Sequence, residues 1–510
     1  MNVGSTIERH ARSIPEKIAI YFRNKSYSYD RFNREVNRIA NGLIAEGVRK
    51  GDKIALMMKN SDMFMFVYYA IMKVGAVAVP VNFRLTTREI TYILNDSDSS
   101  IVFFDDEYCE AIYKSTGGNE KIKLVISVGI RTAPEQKVLD EVITNNDSNP
   151  IIQVEEWDDA QILYTSGTTG LPKGVLLDHH RVLHASLRNA MIQKMDSSDR
   201  ILHIAPLFHA AQLNVFMITS NFLGCTQVIH ETFDPEEVLK AIDQYKITLY
   251  FGVPTMYNFL LQVKDRDKYD LSSVTRCTYG AAPMPTELIK KSMKMFETDQ
   301  FINLCGLTEG GPGGIALLPS EHKDKLGTCG KAQFNDEAKV VNDFGEQINP
   351  GEIGELILRC ESVMKEYYKK PEETHKVLRN GWLYTGDLAT IDEDGYINLV
   401  DRKKDMIISG GENIYSSEVE QILYKHPNIL EAAVVGVPDE VWGETVAAVV
   451  VAKAGQKLDH NEIIAFCRNE LAGYKVPRLI FEYNEIPRNA SGKVLKYKLR
   501  DELKTSTIRD

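Results

Sequence analysis

Helical and strand-like periods alternate over the first half of the chain. From Tyr29, YDRFNREVNRIANGLIAEGVRKGDKIALMMKN carries apolar residues at helical spacing, stops at glycine, then turns apolar from Ile54 to Met58. LTTREITYILNDSDSSIVFFDD repeats the scheme, with Thr86 and Glu89 spaced as a capping box. The most apolar run, MFMFVYYAIMKVGAVAVPV from Met63, is cut by Lys73 and Gly75; its first half predicts a buried helix and its second a buried strand. DPEEVLKAIDQYKITLYFGVP predicts a helix from Asp234 and a strand ending at Pro254. Strands alternating with helices of this length predict parallel α/β layers, in two halves reaching to about residue 320. KVVNDFGEQINPGEIGELILRC is different: short runs broken by Gly, Pro, Asn and Asp, which predict hairpins. After DRKKD, Asp401 to Asp405, comes a smaller unit with a capped helix in SSEVEQILYKH and strands in EAAVVGVP and TVAAVVVAK. DRKKD is therefore the candidate linker.

With 510 residues there is room for two or three cores. A net charge of -11 argues against a general nucleic-acid binder and gives poor support for docking on anionic lipid. Seven cysteines, odd in number, scattered and without C-x-x-C, fit reduced thiols rather than a disulfide framework or a zinc site. No secretory signal opens the chain, and neither half of the apolar run reaches the roughly 20 residues needed to span a bilayer. The expected location is cytoplasmic.

YTSGTTGLPKG, Tyr164 to Gly174, cannot bury a core face. Its glycines free the backbone, Thr165, Ser166, Thr168 and Thr169 add hydroxyls, and Lys173 adds a charge, which are the ingredients of a phosphate-wrapping loop. The Walker register fails, because Pro172 precedes Lys173 and a strand-like GVLLD follows it. Phosphate here would be held between two strands, without a helix dipole, leaving more to the hydroxyls and the lysine. Other stretches supply what a phosphate loop lacks. Gly280-Ala281-Ala282-Pro283 follows strand-like TRCTY and suits the approach of a flat ring. NLCGLTE, Asn303 to Glu309, follows another short strand and places a hydroxyl beside a carboxylate, as Mg²⁺ requires. Tyr384-Thr385-Gly386-Asp387 offers a carboxylate on a turn, able to accept from two ribose hydroxyls. Alone, each reads as a turn, a capped strand or a surface ion pair.

Together, YTSGTTGLPKG, GAAP, CGLTE, YTGD, DRKKDMIISGGENIYSSEVE and PRNASGKVLKYKLR stand in the order and approximate spacing of the adenylate-forming superfamily. The sequence resembles an acyl-CoA synthetase over essentially its whole length, and PLFHAAQLN and GGENIYSSEVE look closest to bacterial fatty acyl-CoA ligases. The resemblance implies an α/β fold: a large N-terminal domain of two α/β subdomains plus a β-barrel-like subdomain, and a small mobile α+β C-terminal domain. The expected boundaries are 1–401 for the adenylation domain, 402–406 for the hinge and 407–510 for the C-terminal domain.

It also implies roles. Thr165, Ser166, Gly167, Thr168, Thr169, Gly170 and Lys173 would hold the ATP triphosphate, and Gly280, Ala281, Ala282, Asn303, Cys305 and Gly306 would border the nucleotide. Thr308 would contact phosphate, with Glu309 at Mg²⁺. Asp387 and Arg402 would hold the ribose. Lys493 would serve adenylation, and His209 would sit beside the acyl carboxylate near the thiol entry. Lys404 occupies the hinge position, Gly410 and Gly411 would face the pantetheine of coenzyme A, and Lys475 stands where it could neutralise a CoA phosphate. Where the family carries an aromatic residue stacked on adenine, this chain has Cys305, which offers a purine far less surface.

The chemistry suits these residue types. A carboxylate attacks the α-phosphorus of ATP, giving acyl-AMP and pyrophosphate; the CoA thiol then displaces AMP. Lysine and Mg²⁺ reduce the repulsion between the two anions. A small-molecule carboxylic acid, ATP and CoA are the expected partners, with a fatty acid favoured by the apolar PLFHAAQLNVFMITSNFLG. Nucleic acid is not expected; the reading leaves room for a homodimer and weak peripheral membrane contact. The alternatives are an aryl-CoA ligase, a ligase acting on a carrier protein, and a non-catalytic protein that binds nucleotide or acyl-AMP.

Overall fold

The alternation of helix and strand produces two large sheets. A computed structural model describes residues 1–133, 136–165, 171–488 and 493–507. The chain forms two compact units, Met1–Ala338 with Leu358–Leu383, and Lys339–Ile357 with Tyr384–Asp510.

In the first unit one sheet has the spatial order Glu366–Tyr367, Lys173–Asp178, Asp159–Thr165, Val77–Pro80, Lys53–Met57, Ser99–Asp105, Leu124–Val128 and Lys137–Val138. Its central strands are parallel, whereas Asp159–Thr165 and Lys173–Asp178 pair antiparallel across the glycine-rich loop. Alternate residues of these strands feed different cores. Ile54, Leu56 and Phe103 join one apolar cluster, while Ala55, Met57, Val102 and Phe104 join another. That two-faced burial explains the unbroken apolar runs. The helix Asp62–Lys73 is capped by Ser61, whose side chain accepts from the Phe64 amide. Thr86 and Glu89 form the reciprocal capping box of Thr87–Asp96. The second sheet runs Lys331–Ala332, Gly313–Leu317, Phe301–Leu307, Arg276–Gly280, Leu249–Gly252, Arg200–His203, Thr226–Ile229, Ile18–Phe22 and Lys25–Ser28.

The second unit holds most of the strands Glu337–Val341, Gly354–Arg359 and Trp382–Ile391 and all of Ile397–Arg402. Its other sheet brings together Glu412–Ile414, Ile407–Ser409, Gly443–Ala452, Ile429–Asp439 and Leu479–Glu482. Here too the apolar runs split by parity. Ala432, Val434, Val446 and Ala448 face a core shared with Val419 and Ile463, while Ala433, Val435, Ala447 and Val449 face Leu499 and Leu503 of the terminal helix Lys496–Thr507.

Two local expectations change. NLCGLTE does not follow a strand: Asn303 to Leu307 are the body of Phe301–Leu307, paired antiparallel with Gly313–Leu317. Tyr384 to Asp387 likewise lie inside Trp382–Ile391, where Gly386, at φ +72°, absorbs the irregularity that a glycine suggests in sequence. The helix Ser416–Leu423 has no cap from its own N-terminal residue; instead Asp401 accepts from the Ser416 hydroxyl (2.6 Å) and the Ser417 amide (3.3 Å).

Lys73, which interrupts the apolar run, is buried at the end of its helix. Its ammonium donates to the Oδ1 atoms of Asn33, Asn37 and Asn149 at 2.6, 2.7 and 2.7 Å. These acceptors favour the charged form, but burial opposes it more strongly and brings the pKa down from 10.5 to about 7. Below that value both folded and unfolded chains carry the proton; above it, up to the ordinary lysine range, only the unfolded chain does. This group therefore makes stability rise with pH. Relative to Lys73→Met, the wild type should gain about 1 kcal/mol per pH unit between about pH 7.5 and 9 in urea unfolding. A pH-independent difference would show that the ammonium keeps its proton when folded.

Candidate active site

The ends of the glycine-rich loop are fixed by the sheet. Thr165 closes one strand, Lys173 opens the next, and the two residues are register partners. Ser166, Gly167, Thr168, Thr169 and Gly170 lie outside the described residues. The Thr165 hydroxyl donates to Glu309 Oε1 at 3.3 Å, so one end of the loop and the expected metal carboxylate meet. Lys173 is mostly buried and pairs with Glu373 at 2.6 Å, with its Nζ 4.8 Å from the centroid of the Tyr367 ring.

Glu309 follows Thr308 in a single turn of 3₁₀ helix, Thr308–Gly310. This turn is held from behind. Arg188, 1% exposed, donates to Ser362 Oγ (2.7 Å) and the Pro312 carbonyl (2.9 Å) and pairs with Asp336 (3.1 Å), itself 2% exposed at its side chain. Ser362 Oγ donates to the Gly310 carbonyl at 2.6 Å, and the Met364 amide to the Glu309 carbonyl at 2.8 Å. Burial pushes the Asp336 carboxyl up, opposed by the neighbouring guanidinium.

Gly280, Ala281 and Ala282 emerge from Arg276–Gly280, which pairs parallel with the strand of Asn303, Cys305 and Gly306. A Cβ at Gly280 would meet the Leu304 carbonyl oxygen at 2.2 Å, so the small residue is required by the close approach of the strands. Ala281 sits at φ +65°, a left-handed conformation that costs an alanine energy and is held by its surroundings. Leu304 packs into the apolar core and strand alternation turns the partly exposed Cys305 the other way.

His209 lies between the strand Arg200–His203 and the π-helix Ala211–Ile218. Its Nδ1 accepts from the Ala211 amide at 3.3 Å, which places the neutral ring's proton on Nε2. Buried Asn60 fixes the approach, donating to the Ala205 carbonyl and accepting from the Leu207 amide, both at 2.8 Å. Phe208 packs edge-on against Phe83. Behind the π-helix runs a buried polar chain in which Gln212 donates to His203 Nδ1, His203 donates to Gln227 Oε1, and Gln227 donates to Asn221. Burial lowers His203 to about 4, so it is neutral and both donates and accepts.

In the second unit, Asp387 and Arg402 are cross-strand partners joined at 2.6 Å. Lys404 is exposed in the turn that follows. Gly410, at φ +60°, donates its amide to the Trp442 carbonyl at 2.8 Å, and a Cβ there would lie 2.7 Å from the indole. Gly411 also has positive φ. Lys475 bonds both carboxylate oxygens of Glu418 at 2.8 Å. Of the three lysines in ASGKVLKYK, Lys493 and Lys498 are exposed, whereas Lys496 is mostly buried against Glu420 at 2.8 Å.

Residues 7–368 match the AMP-binding enzyme family, and residues 418–493 match the AMP-binding enzyme C-terminal domain. The chain belongs to the AMP-binding enzymes, as an acyl-CoA synthetase. It is 38% identical over 498 residues to a feruloyl-CoA synthase of an Amycolatopsis species, covering 98% of each chain. It is 35% identical over 484 residues to the long-chain-fatty-acid–CoA ligase FadD13 of Mycobacterium tuberculosis, covering 93% of each. Among solved structures, o-succinylbenzoate coenzyme A synthetase (MenE) of Bacillus subtilis, in complex with ATP and magnesium ion, superposes with a TM-score of 0.86 at 30% identity, covering 98% of this chain and 99% of that one.

Three supports of this AMP-binding enzyme's site escape a reading by motif: Asn60, Arg188 and Tyr367. Each lies far along the chain from the residue it holds. Only a fold brings it there, although Arg188 in the middle of the helix-forming RVLHASLRNAMI is a signal. Replacing Arg188 by Met should cost about 3–5 kcal/mol in urea unfolding, because Asp336 stays buried without its partner. Replacing both Arg188 and Asp336 with apolar residues should recover part of that loss. A cost for Arg188→Met below about 1 kcal/mol would show that the pair does not anchor the turn.

Proposed function

We propose that the enzyme activates an apolar monocarboxylic acid with ATP and Mg²⁺ and transfers the acyl group from acyl-AMP to coenzyme A, releasing AMP and pyrophosphate. The observation that carries this reading is the convergence of Thr165, Lys173 and Glu309 at the ends of the glycine-rich loop. The lysine supplies a cation for phosphate oxygens and the carboxylate a ligand for a metal. Among the described residues, both hydrogen bonds to the Glu309 carboxylate fall on Oε1. Oε2 is then the oxygen for a hard cation that takes few protein ligands and keeps several waters. Among the described residues no group of three or more His, Cys, Asp and Glu gathers as a metal site, which fits an ion held largely by the nucleotide. Mg²⁺, when bound, would neutralise charge on the triphosphate as the α-phosphorus is attacked.

His209, with its proton on Nε2, is the donor for the acid's carboxylate. Beyond it the segment Pro206–Gly224 contains no lysine or arginine to meet a second carboxylate. Ala211, Val253, Met256 and Leu304 are partly buried on one apolar cluster with Phe216 and Phe251 behind them, which supports an apolar tail. A medium- or long-chain fatty acid is the first reading. The second is an aryl acid, favoured by the stacked Phe216–Phe251 pair (4.4 Å between centroids) and by the likeness to feruloyl-CoA synthase. Asp387 and Arg402 hold the ribose, Lys404 is the hinge, and Gly410, Gly411 and Lys475 serve CoA. Lys493, exposed and standing at the lysine of the PRNASGKVLKYKLR motif, is the adenylation lysine.

Mass spectrometry of products from ATP, Mg²⁺, CoA and a mixed pool of straight-chain fatty and aromatic acids tests the reaction and identifies the acid. Acyl-CoA and AMP should appear together; acyl-AMP without thioester would point to a carrier-protein acceptor, and absence of AMP would defeat the reading. Lys493→Ala should slow acyl-AMP formation at least about 100-fold, while conversion of supplied acyl-AMP to acyl-CoA changes little. Equal loss of both half-reactions would assign Lys493 another role.

A further inference from the structure

Tyr367 belongs to none of the motifs discussed above, yet it touches both charged groups at the ends of the loop. Its hydroxyl donates to Glu309 Oε1 at 2.9 Å, while its ring lies against the Lys173 ammonium, 4.8 Å from Nζ to centroid. The residue is 6% exposed and firmly seated. It pairs with Val175 on the strand leaving the loop, and its amide donates to Thr374 Oγ1 at 3.0 Å. On its other side Lys173 meets Glu373 at 2.6 Å.

We infer that Tyr367 is a positioning residue that sets the Glu309 carboxylate and the Lys173 ammonium as one unit to receive a metal–triphosphate; this rests on the reading of the loop as the ATP site. The two ends of the side chain do different work. The phenol and Thr165 both bond Oε1, fixing the carboxylate rotamer and directing Oε2 to the metal, as an outer-shell donor does. The ring face attracts the ammonium without adding a second carboxylate, so Lys173 has a hold beside its Glu373 partner that brings no further negative charge to the phosphate site. Without the ring, Lys173 would be oriented by Glu373 alone. Tyr367 therefore contacts no reacting atom; it acts through two residues that do.

The two functions can be separated by substitution. Tyr367→Phe keeps the ring and removes the hydroxyl; Tyr367→Leu removes both. Nucleotide binding is measured calorimetrically with α,β-methylene-ATP in EDTA. Metal binding is measured by the electron paramagnetic resonance of Mn²⁺ with the same analogue, where no turnover occurs. Tyr367→Phe should bind metal-free analogue as the wild type does but hold Mn²⁺ about tenfold more weakly. In turnover it should raise the Mg²⁺ requirement without changing KM for the acid. Tyr367→Leu should weaken the metal-free analogue as well, by roughly threefold to tenfold. Wild-type Mn²⁺ affinity in Tyr367→Phe, with Glu309→Gln still weakened, would overturn the inference alone. So would a lowered unfolding temperature with unchanged Mn²⁺ binding. No nucleotide binding by the wild type, or no effect of Glu309→Gln on Mn²⁺, would overturn the ATP-site reading and the inference with it.

Discussion

The antiparallel pairing of Asp159–Thr165 with Lys173–Asp178 is the constraint from which the first unit's chemistry follows. What makes the glycine-rich loop useful is that its ends are clamped in register, Thr165 against Lys173, on a sheet whose other strands are buried on both faces. The clamp gives the loop one base and one direction, and the short strand Glu366–Tyr367 adds itself to the same edge. Charge is then brought to the base that the two strands form. Glu309 arrives from the other sheet on a turn that the Arg188–Asp336 pair fixes from inside.

Much of the fold was legible because its signal is local. Ser61, Thr86 and Asp234 cap the helices that follow them, and the parity of valines in EAAVVGVP and TVAAVVVAK encodes a sheet covered on both sides. The sequence misleads where glycine is read as a turn. Gly306 and Gly386 sit within strands, where small residues admit a close neighbour or an unusual φ without ending the pairing. The cap of Ser416–Leu423 likewise depends on the fold. The serines are there, but the acceptor is Asp401, a residue brought in by the fold.

For the site, the motifs name the residues that would touch ligand and are silent about those that hold them. Thr165, Lys173 and Glu309 stand out by type; Asn60, Arg188 and Tyr367 do not, because their work is done by geometry across long sequence separations. In the second unit Lys493 and Lys496 differ in burial. The lysine committed to Glu420 secures the terminal helix, and the one three residues earlier is left at the surface. His209 was visible in PLFH, but the accepting role of its Nδ1 depends on the Ala211 amide and on how the next helix begins.

That next helix, Ala211–Ile218, is wound as a π-helix, more loosely than the helices around it. Such a turn holds about one residue more than an α-helical turn. Removing a single residue there would rotate every later side chain of the segment by about 100° about the axis. Point substitution changes the size of one side chain of the segment, whereas a one-residue deletion changes which way the later ones face. Kinship measured by percentage identity does not register such a rotation. Two proteins of this type can align along nearly their whole length and still present different walls to their acids, so the length of this one segment is the first thing to compare between them.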